Sequence, residues 1–346
     1  MRISVYRKAS IKSIHDLTQE EIARWDSLHG EQDACRKAFL SYAYALSVAS
    51  CGASVYVIIG SIEDNPSWFL PMQRHVGWIG RFGVFEPVGG VMSDYFGAVA
   101  AKGVEFTPQE IFAATRGRIR ACLFSHLDET QKAFGLQGSE KRIGLRTRLG
   151  VSAEEYWELL RKKDKKLVYD TERREKKLIK EQGEICFEWK SKNGEADLAS
   201  LIEFKKAQYT RTGKSDAPLF AQKQVALLEY LSKSEALSCE GVLSVMRCGS
   251  ELVAAHFGLR CYENFHIWFP VYNEKYAAYS PGRILLKHII NESIARGVQV
   301  LDRGEGDSQS KRDFSNEEHE YYRGYWQADS WSAHSARIAI AIYWRL

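Results

Sequence analysis

Apolar residues recur every three or four positions in some stretches of the chain and every second position in others; the two periods predict helices and strands. The clearest helical stretch begins at Pro281. Leu286, Ile290 and Ile294 recur every four residues with Ile289 on the same side, while Lys287, Asn291 and Arg296 face water. Ser280 precedes the stretch as an N-cap, and Pro281 suits the first helical position because its missing N–H has no intrahelical partner. Gly297 ends the helix. Val298 and Val300 then alternate as a short strand, which puts Asp302 at the strand's C-terminal end, where open α/β sheets build their sites. A glycine loop at Gly304 and Gly306 follows. A helix N-terminus beside such a strand can hold phosphate on its free N–H groups.

The same reading covers the rest of the chain. Residues 3–6 read as a strand and 18–29 as a helix, opened by the Thr18-x-x-Glu21 spacing of a capping box. A second helix is expected over 38–50. Strands at 54–60 and 68–72 flank a polar turn at 63–66, and 77–90 is a glycine- and aromatic-rich stretch. A helix over 107–127 follows, with Pro108 in its first turn. Residues 150–182 read as a pair of long charged helices. Beyond them come a strand at 186–189, a turn at 192–194, a helix at 197–208, a loop at 213–218 and a helix at 220–232. Three strands at 240–248, 251–259 and 265–272, separated by tight turns, read as an antiparallel meander. Residues 321–332 add strand-like aromatics. Both halves run helix, helix, strands, helix, which predicts two similar α/β units at 1–149 and 185–346 joined by a basic helical connector at 150–184. The last segment is expected to pack back on the first unit.

Composition changes little in this picture. With 346 residues, 45% hydrophobic and 27% charged, the chain is ordinary for a soluble globular protein with two cores. The first residues lack the apolar stretch of a signal peptide, and no run approaches the roughly 20 apolar residues of a spanning helix. A cytoplasmic protein is expected, with peripheral association at the inner face of the membrane as a further reading. Seven widely spaced cysteines without a CxxC predict reduced thiols and no zinc knuckle. Charge does alter the picture locally. Residues 161–181 hold ten Lys or Arg against five Asp or Glu, so the formal net charge of +4 sits on this segment. It reads either as a solvated helical face or as a patch attracting phosphate or anionic lipid; nucleic acid is the weaker partner because no aromatics are interleaved to stack bases.

A meander, then a turn opening a helix, then a strand diverging from the meander, is the order of the acyl-CoA-binding core of GNAT acetyltransferases. More closely, the chain resembles the double-GNAT branch related to the cellulose-biosynthesis CelD-like proteins and the FemAB peptidyltransferases. The residues carrying the likeness are Leu70-Pro71, Ser93-Asp94-Tyr95, the basic helices, the stretch LIEFKKAQYTRTG at 201–213, Tyr279-Ser280-Pro281-Gly282, and DRGEGDSQSK at 302–311. The resemblance implies an α/β (α+β) fold of two tandem GNAT-like units, each a mixed, mostly antiparallel sheet flanked by helices. Two departures stand out. Ser310-Lys311 replaces the family's Tyr-Lys pair, and Ser280-Pro281-Gly282-Arg283 replaces the Gln/Arg-x-x-Gly-x-Gly/Ala signature of simple GNAT enzymes.

What the resemblance implies for chemistry is acyl transfer from acyl-CoA, as co-substrate and without a metal, to an amine. N–H groups of the strand at 265–272 would polarise the thioester carbonyl. Pantetheine would lie where that strand and residues 299–302 part, beside Trp268, and pyrophosphate would meet Ser280, Pro281, Gly282, Arg283 and Ile284. Arg283 would add a charge-assisted contact. His256, His266 and Asp302 are the candidates for the base; each histidine also reads as a packed sheet residue, and Asp302 as a loop cap. Lys311 would bind phosphate or acceptor, or lie on the surface. Asp94 and Tyr95 of the first unit would hold a polar acceptor, with a turn-capping Asp94 as the alternative. The expected activity is an N-acyltransferase acting on an amine of an envelope or exopolysaccharide precursor or a lipid-like base. Its rivals are a FemAB-like ligase using charged tRNA and a non-catalytic GNAT scaffold that partners a polysaccharide or lipid synthase.

Overall fold

The chain divides into two compact units, Met1–Ile143 with His319–Leu346 and Gly144–Glu318. The computed structural model describes residues 7–150, 152–214, 218–331 and 333–344. The strand expected at 3–6 and the middle of the loop expected at 213–218 lie outside the described residues.

In the first unit, β1 (Arg7–Ser13) leads to α1 (Gln19–Glu31), whose capping box is formed. Thr18 Oγ1 accepts from the Glu21 N–H at 3.2 Å while the Glu21 carboxylate accepts from the Thr18 N–H at 2.9 Å. The helix expected over 38–50 is a 3-10 turn at Ala38–Leu40 and then α2 (Tyr42–Ser50), because Ser41 interrupts and caps it, accepting from the Tyr44 N–H at 3.0 Å. β2 (Val55–Ile62) and β3 (Asn65–Arg74) form a hairpin. Glu63 and Asp64 both adopt the left-handed region at its tip, as a two-residue hairpin turn requires. After β4 (Val84–Glu86) and β5 (Val99–Ala100) comes a correction: the helix expected over 107–127 is only α3 (Pro108–Ala114), followed by strand β6 (Ala121–Asp128). Arg116 and Gly117, with φ of 49° and 81°, break the helix, and the segment after them pairs with β4 instead.

The second unit begins within β7 (Glu140–Arg148) and continues through the two basic helices, α4 (Ala153–Lys163) and α5 (Lys165–Gln182). Then follow β8 (Ile185–Glu188), α6 (Gly194–Arg211), α7 (Gln222–Leu231), β9 (Glu235–Ala236), β10 (Cys239–Cys248), β11 (Glu251–Cys261) and β12 (Asn264–Tyr272). α8 (Pro281–Ala295), β13 (Val300–Glu305) and the short α9 (Gln309–Arg312) complete it. The meander exists as predicted, and the order of this unit's strands is β7, β13, β12, β11, β10, β8. Among the described residues of this unit only the β12–β13 pair is parallel. Ile284, Leu285, Ile289 and Ile290 of α8 are fully buried against Val242, Met246, Ala254 and Phe265 of the sheet. At about 2 kcal/mol for each such side chain, this burial holds a helix too short to persist alone. The chain then returns to the first unit as β14 (Glu317–Gln327), antiparallel to β6, and α10 (Ala333–Tyr343). Among the described residues no helix is long and apolar enough to cross a membrane.

Candidate functional site

β12 and β13 pair at Asn264↔Val300, Phe265↔Leu301 and His266↔Asp302, and the ladder ends there. Beyond these residues the two parallel strands part and leave a wedge. A bulge in β12 lies at its mouth: Gly258 of β11 faces Ile267 and Phe257 faces Phe269, so Trp268 is the extra residue. The Trp268 N–H therefore leaves the ladder and donates to Nε2 of the His256 imidazole at 3.2 Å. Gly258 makes this possible. A Cβ there would stand 2.4 Å from the His266 carbonyl oxygen and 2.5 Å from Cε1 of His256.

His256 is wholly buried. Burial, reinforced by the neighbouring His266, Arg303 and Lys205, pushes its imidazole down to about 3. It is neutral at physiological pH, and its Nε2 serves as an acceptor, so the ring positions the bulge and is a poor base. His266 is better arranged for proton handling. Its Nδ1 lies 3.6 Å from Oδ2 of Asp302, both side chains are buried, and Oδ1 of Asp302 accepts the Gly304 N–H at 2.8 Å. Next in sequence, Arg303 turns inward, donates from Nη2 to the Ser310 carbonyl at 3.1 Å, and buries Nη1 without a hydrogen-bond partner among the described residues. Burial lowers its guanidinium to about 10. Lys311 donates from Nζ to the Glu305 carbonyl at 2.6 Å, closing the glycine loop on itself.

The start of α8 adjoins the far end of β12. Gly282 has a φ in the ordinary range, and a Cβ on it would meet only the Tyr272 ring, at 3.8 Å. Ser280 departs from expectation. It occupies the N-cap position, but with φ of 54° and ψ of 52° its hydroxyl makes no capping bond; only its carbonyl serves the helix, accepting from the Arg283 N–H at 3.0 Å. Pro281 stands at the first helical position. Arg283 is also differently engaged: its guanidinium spans Asp313 at 3.0 Å and Asp170 at 3.5 Å, so in this state its charge is matched by carboxylates. The side chain of Ile284 is core. On the basic helices, Arg161 meets Glu172, and Arg173 and Arg174 both meet Asp170, which answers part of the local charge excess.

Asp94 and Tyr95 lie in the first unit. Tyr95 is buried, packed near Phe39 and Tyr321 with the Lys37 ammonium 5.2 Å from its ring, and its carbonyl accepts from the Ser93 hydroxyl. That ring is a packing residue. Two second-unit residues escaped sequence reasoning, Arg303 and Lys205. Lys205 sits in the LIEFKKAQYTRTG stretch, where nothing local separates it from Lys206; its Nζ donates to the Pro270 carbonyl at 2.9 Å.

Residues 165–312 match the acetyltransferase (GNAT) domain. No curated protein matches the chain. Among solved structures, FemX superposes with a TM-score of 0.60 at 8% identity, covering 92% of this chain and 97% of that one. The C-terminal domain of a protein provisionally named lysylphosphatidylglycerol synthetase from Agrobacterium fabrum gives 0.54 at 10% identity, covering 93% and 95%. A conserved protein of unknown function from Bacteroides thetaiotaomicron VPI-5482 gives 0.53 at 10% identity, covering 91% and 97%. At such identities the likeness is one of fold. The segment that builds the wedge and the start of α8 thus lies within the part of the chain that matches the GNAT domain, and the chain as a whole shares its mixed α/β fold with these structures.

Proposed function

We propose that this protein transfers an acyl group from an acyl-CoA to a primary amine. The observation carrying the reading is the wedge where β12 and β13 part, opening beside the helix N-terminus at Gly282, all within the segment that matches the GNAT domain. The Gly282 N–H in the first turn of α8 would meet the pyrophosphate, with Pro281, which has no N–H to offer, setting the helix start. Trp268 would flank the pantetheine arm. When bound, the thioester supplies an activated acyl carbonyl. Arg283 fits less simply, since it must exchange Asp170 or Asp313 for phosphate.

The chain's own residues divide the remaining work. His256 holds the Trp268 N–H and keeps the bulge in register. Asp302 orients His266, which takes a proton from the acceptor's ammonium so that the neutral amine can attack the thioester, in the way that a base held by a carboxylate acts elsewhere. Lys311 secures the loop after β13. The acceptor in this reading is an amine on a sugar or lipid-like precursor.

Calorimetric titration tests the donor. Acetyl-CoA or a longer acyl-CoA should bind, and Gly282→Trp should abolish binding while leaving the melting temperature close to the parent's, because a side chain there starts from ordinary van der Waals contact with Tyr272. An unchanged melting curve with every acyl-CoA tested, or binding only to charged tRNA, would overturn the reading.

A further inference from the structure

Lys205 sits at the wedge without belonging to the machinery described above. It projects from the fourth turn of α6 towards β12, beyond the point where β12 has lost its β13 partner. There its Nζ donates to the carbonyl of Pro270, two residues past the bulge at Trp268. Pro270 itself is exposed and Lys205 half-buried, and their contact lies on the stretch of β12 that β13 no longer covers. The neighbours of this amine are unusual for a lysine. Its hydrogen-bond partner among the described residues is a neutral carbonyl and not a carboxylate, the Tyr209 ring centre lies 5.4 Å away, and Lys214 adds like charge. A carbonyl orients the amine but does not lock the proton on it as an acid would.

We propose that Lys205 is an acyl-acceptor site of the protein itself, its side-chain amine becoming an Nε-acyl amide at the expense of acyl-CoA held in the wedge. The proposal rests on the acyl-CoA reading above. In the step, the lone pair of neutral Nζ attacks the thioester carbonyl carbon. The C–N bond forms, the C–S bond breaks, and the sulfur leaves as CoA thiol with the proton that the amine gives up. One free thiol appears for each acyl group fixed, and no other reactant is needed.

The environment favours the neutral amine. Burial, with the Lys214 charge second, lowers Lys205 to about 8, so at pH 7 about a tenth of it is already unprotonated. An ordinary surface lysine is neutral to well under about one part in a thousand at that pH. Acylation would remove a positive charge beside His256, whose own imidazole feels that charge, and would leave an amide N–H to keep the Pro270 carbonyl satisfied.

The full-length protein incubated with acetyl-CoA, followed by intact mass and peptide mapping, tests this directly. Lys205 should gain one acetyl group at least about tenfold faster than the other lysines, with matching thiol release. Lys205→Arg should lose that rapid phase. Gly282→Trp should slow acylation of Lys205 to the background rate. Peptide mapping of the unmodified sequence decides the matter even if the arginine variant folds poorly. Acetyl-CoA binding by calorimetry without preferential acylation of Lys205 would overturn this inference and leave the donor reading standing. Absence of binding would remove both.

Discussion

At the scale of single residues, the site depends on what Gly258 omits. The His266 carbonyl and the His256 ring both occupy the space that a side chain would take, and the nearer of the two is backbone. Gly258→Ala must therefore shift a strand rather than a rotamer, and overpacking of this kind costs about 2 kcal/mol. Urea denaturation of that variant should show the loss; a midpoint equal to the parent's would mean that the bulge tolerates the methyl group. Asp302 presents the complementary case. Asp302→Asn keeps the shape and an acceptor for the Gly304 N–H but removes the charge facing His266. With acyl-CoA and a panel of amines, thiol release should fall about a hundredfold while CoA affinity is unchanged. Equal losses in both would place Asp302 in donor binding instead.

At the scale of elements, the helix starts separate two uses of the same sequence signal. Thr18 and Thr107 both have Glu three residues later, and both form the reciprocal capping box. Ser280 reads equally well before Pro281, yet its left-handed backbone turns the hydroxyl away from the first turn of α8. Thr107→Ala should cost about 1 kcal/mol in thermal or chemical unfolding, whereas Ser280→Ala should cost less than about 0.3 kcal/mol. A full capping cost at Ser280 would show that its hydroxyl serves the helix after all. The start of α8 is thereby held by Pro281, by the Ser280 carbonyl and by the bridge from Arg283 to Asp170 and Asp313, an arrangement that couples the helix start to α5 and to the end of α9.

At the scale of the molecule, each unit buries a neutral histidine. His29 in the first unit is lowered to about 4 and His256 in the second to about 3, burial being the chief cause in both. Unfolded, each titrates near 6.5, so the unfolded chain binds more protons than the folded one as pH falls below that value. The stability that depends on their staying neutral is complete above about pH 6.5 and is lost as pH drops, by up to about 1.4 kcal/mol per pH unit for each residue. Melting temperatures should therefore decline from pH 6.5 to pH 5. Glu86 works in the opposite direction, its carboxyl raised by burial, so the difference between parent and His256→Gln isolates the histidine. The variant should decline less steeply; parallel curves would refute the assignment.

The sequence by itself determined the features that local chemistry controls: the capping box at Thr18, the hairpin at Glu63 and Asp64, the three-stranded meander, the apolar face of α8, and the ordering of helices and strands in the second unit. Each follows from neighbours within a few positions, where spacing and turn chemistry act directly. The tertiary structure decided the rest. Whether residues 121–128 continue a helix or become β6 depends on a partner strand, because an apolar run satisfies either period. The bulge at Trp268, the use of His256 as an acceptor, the pairing of Asp302 with His266, and the Lys205 contact with Pro270 join residues 12, 36 or 65 positions apart. Arg283 reads as a phosphate ligand until Asp170, 113 residues earlier, is brought to it. Burial and long-range pairing set the charge state and orientation of these groups, and neither is encoded in the spacing around them.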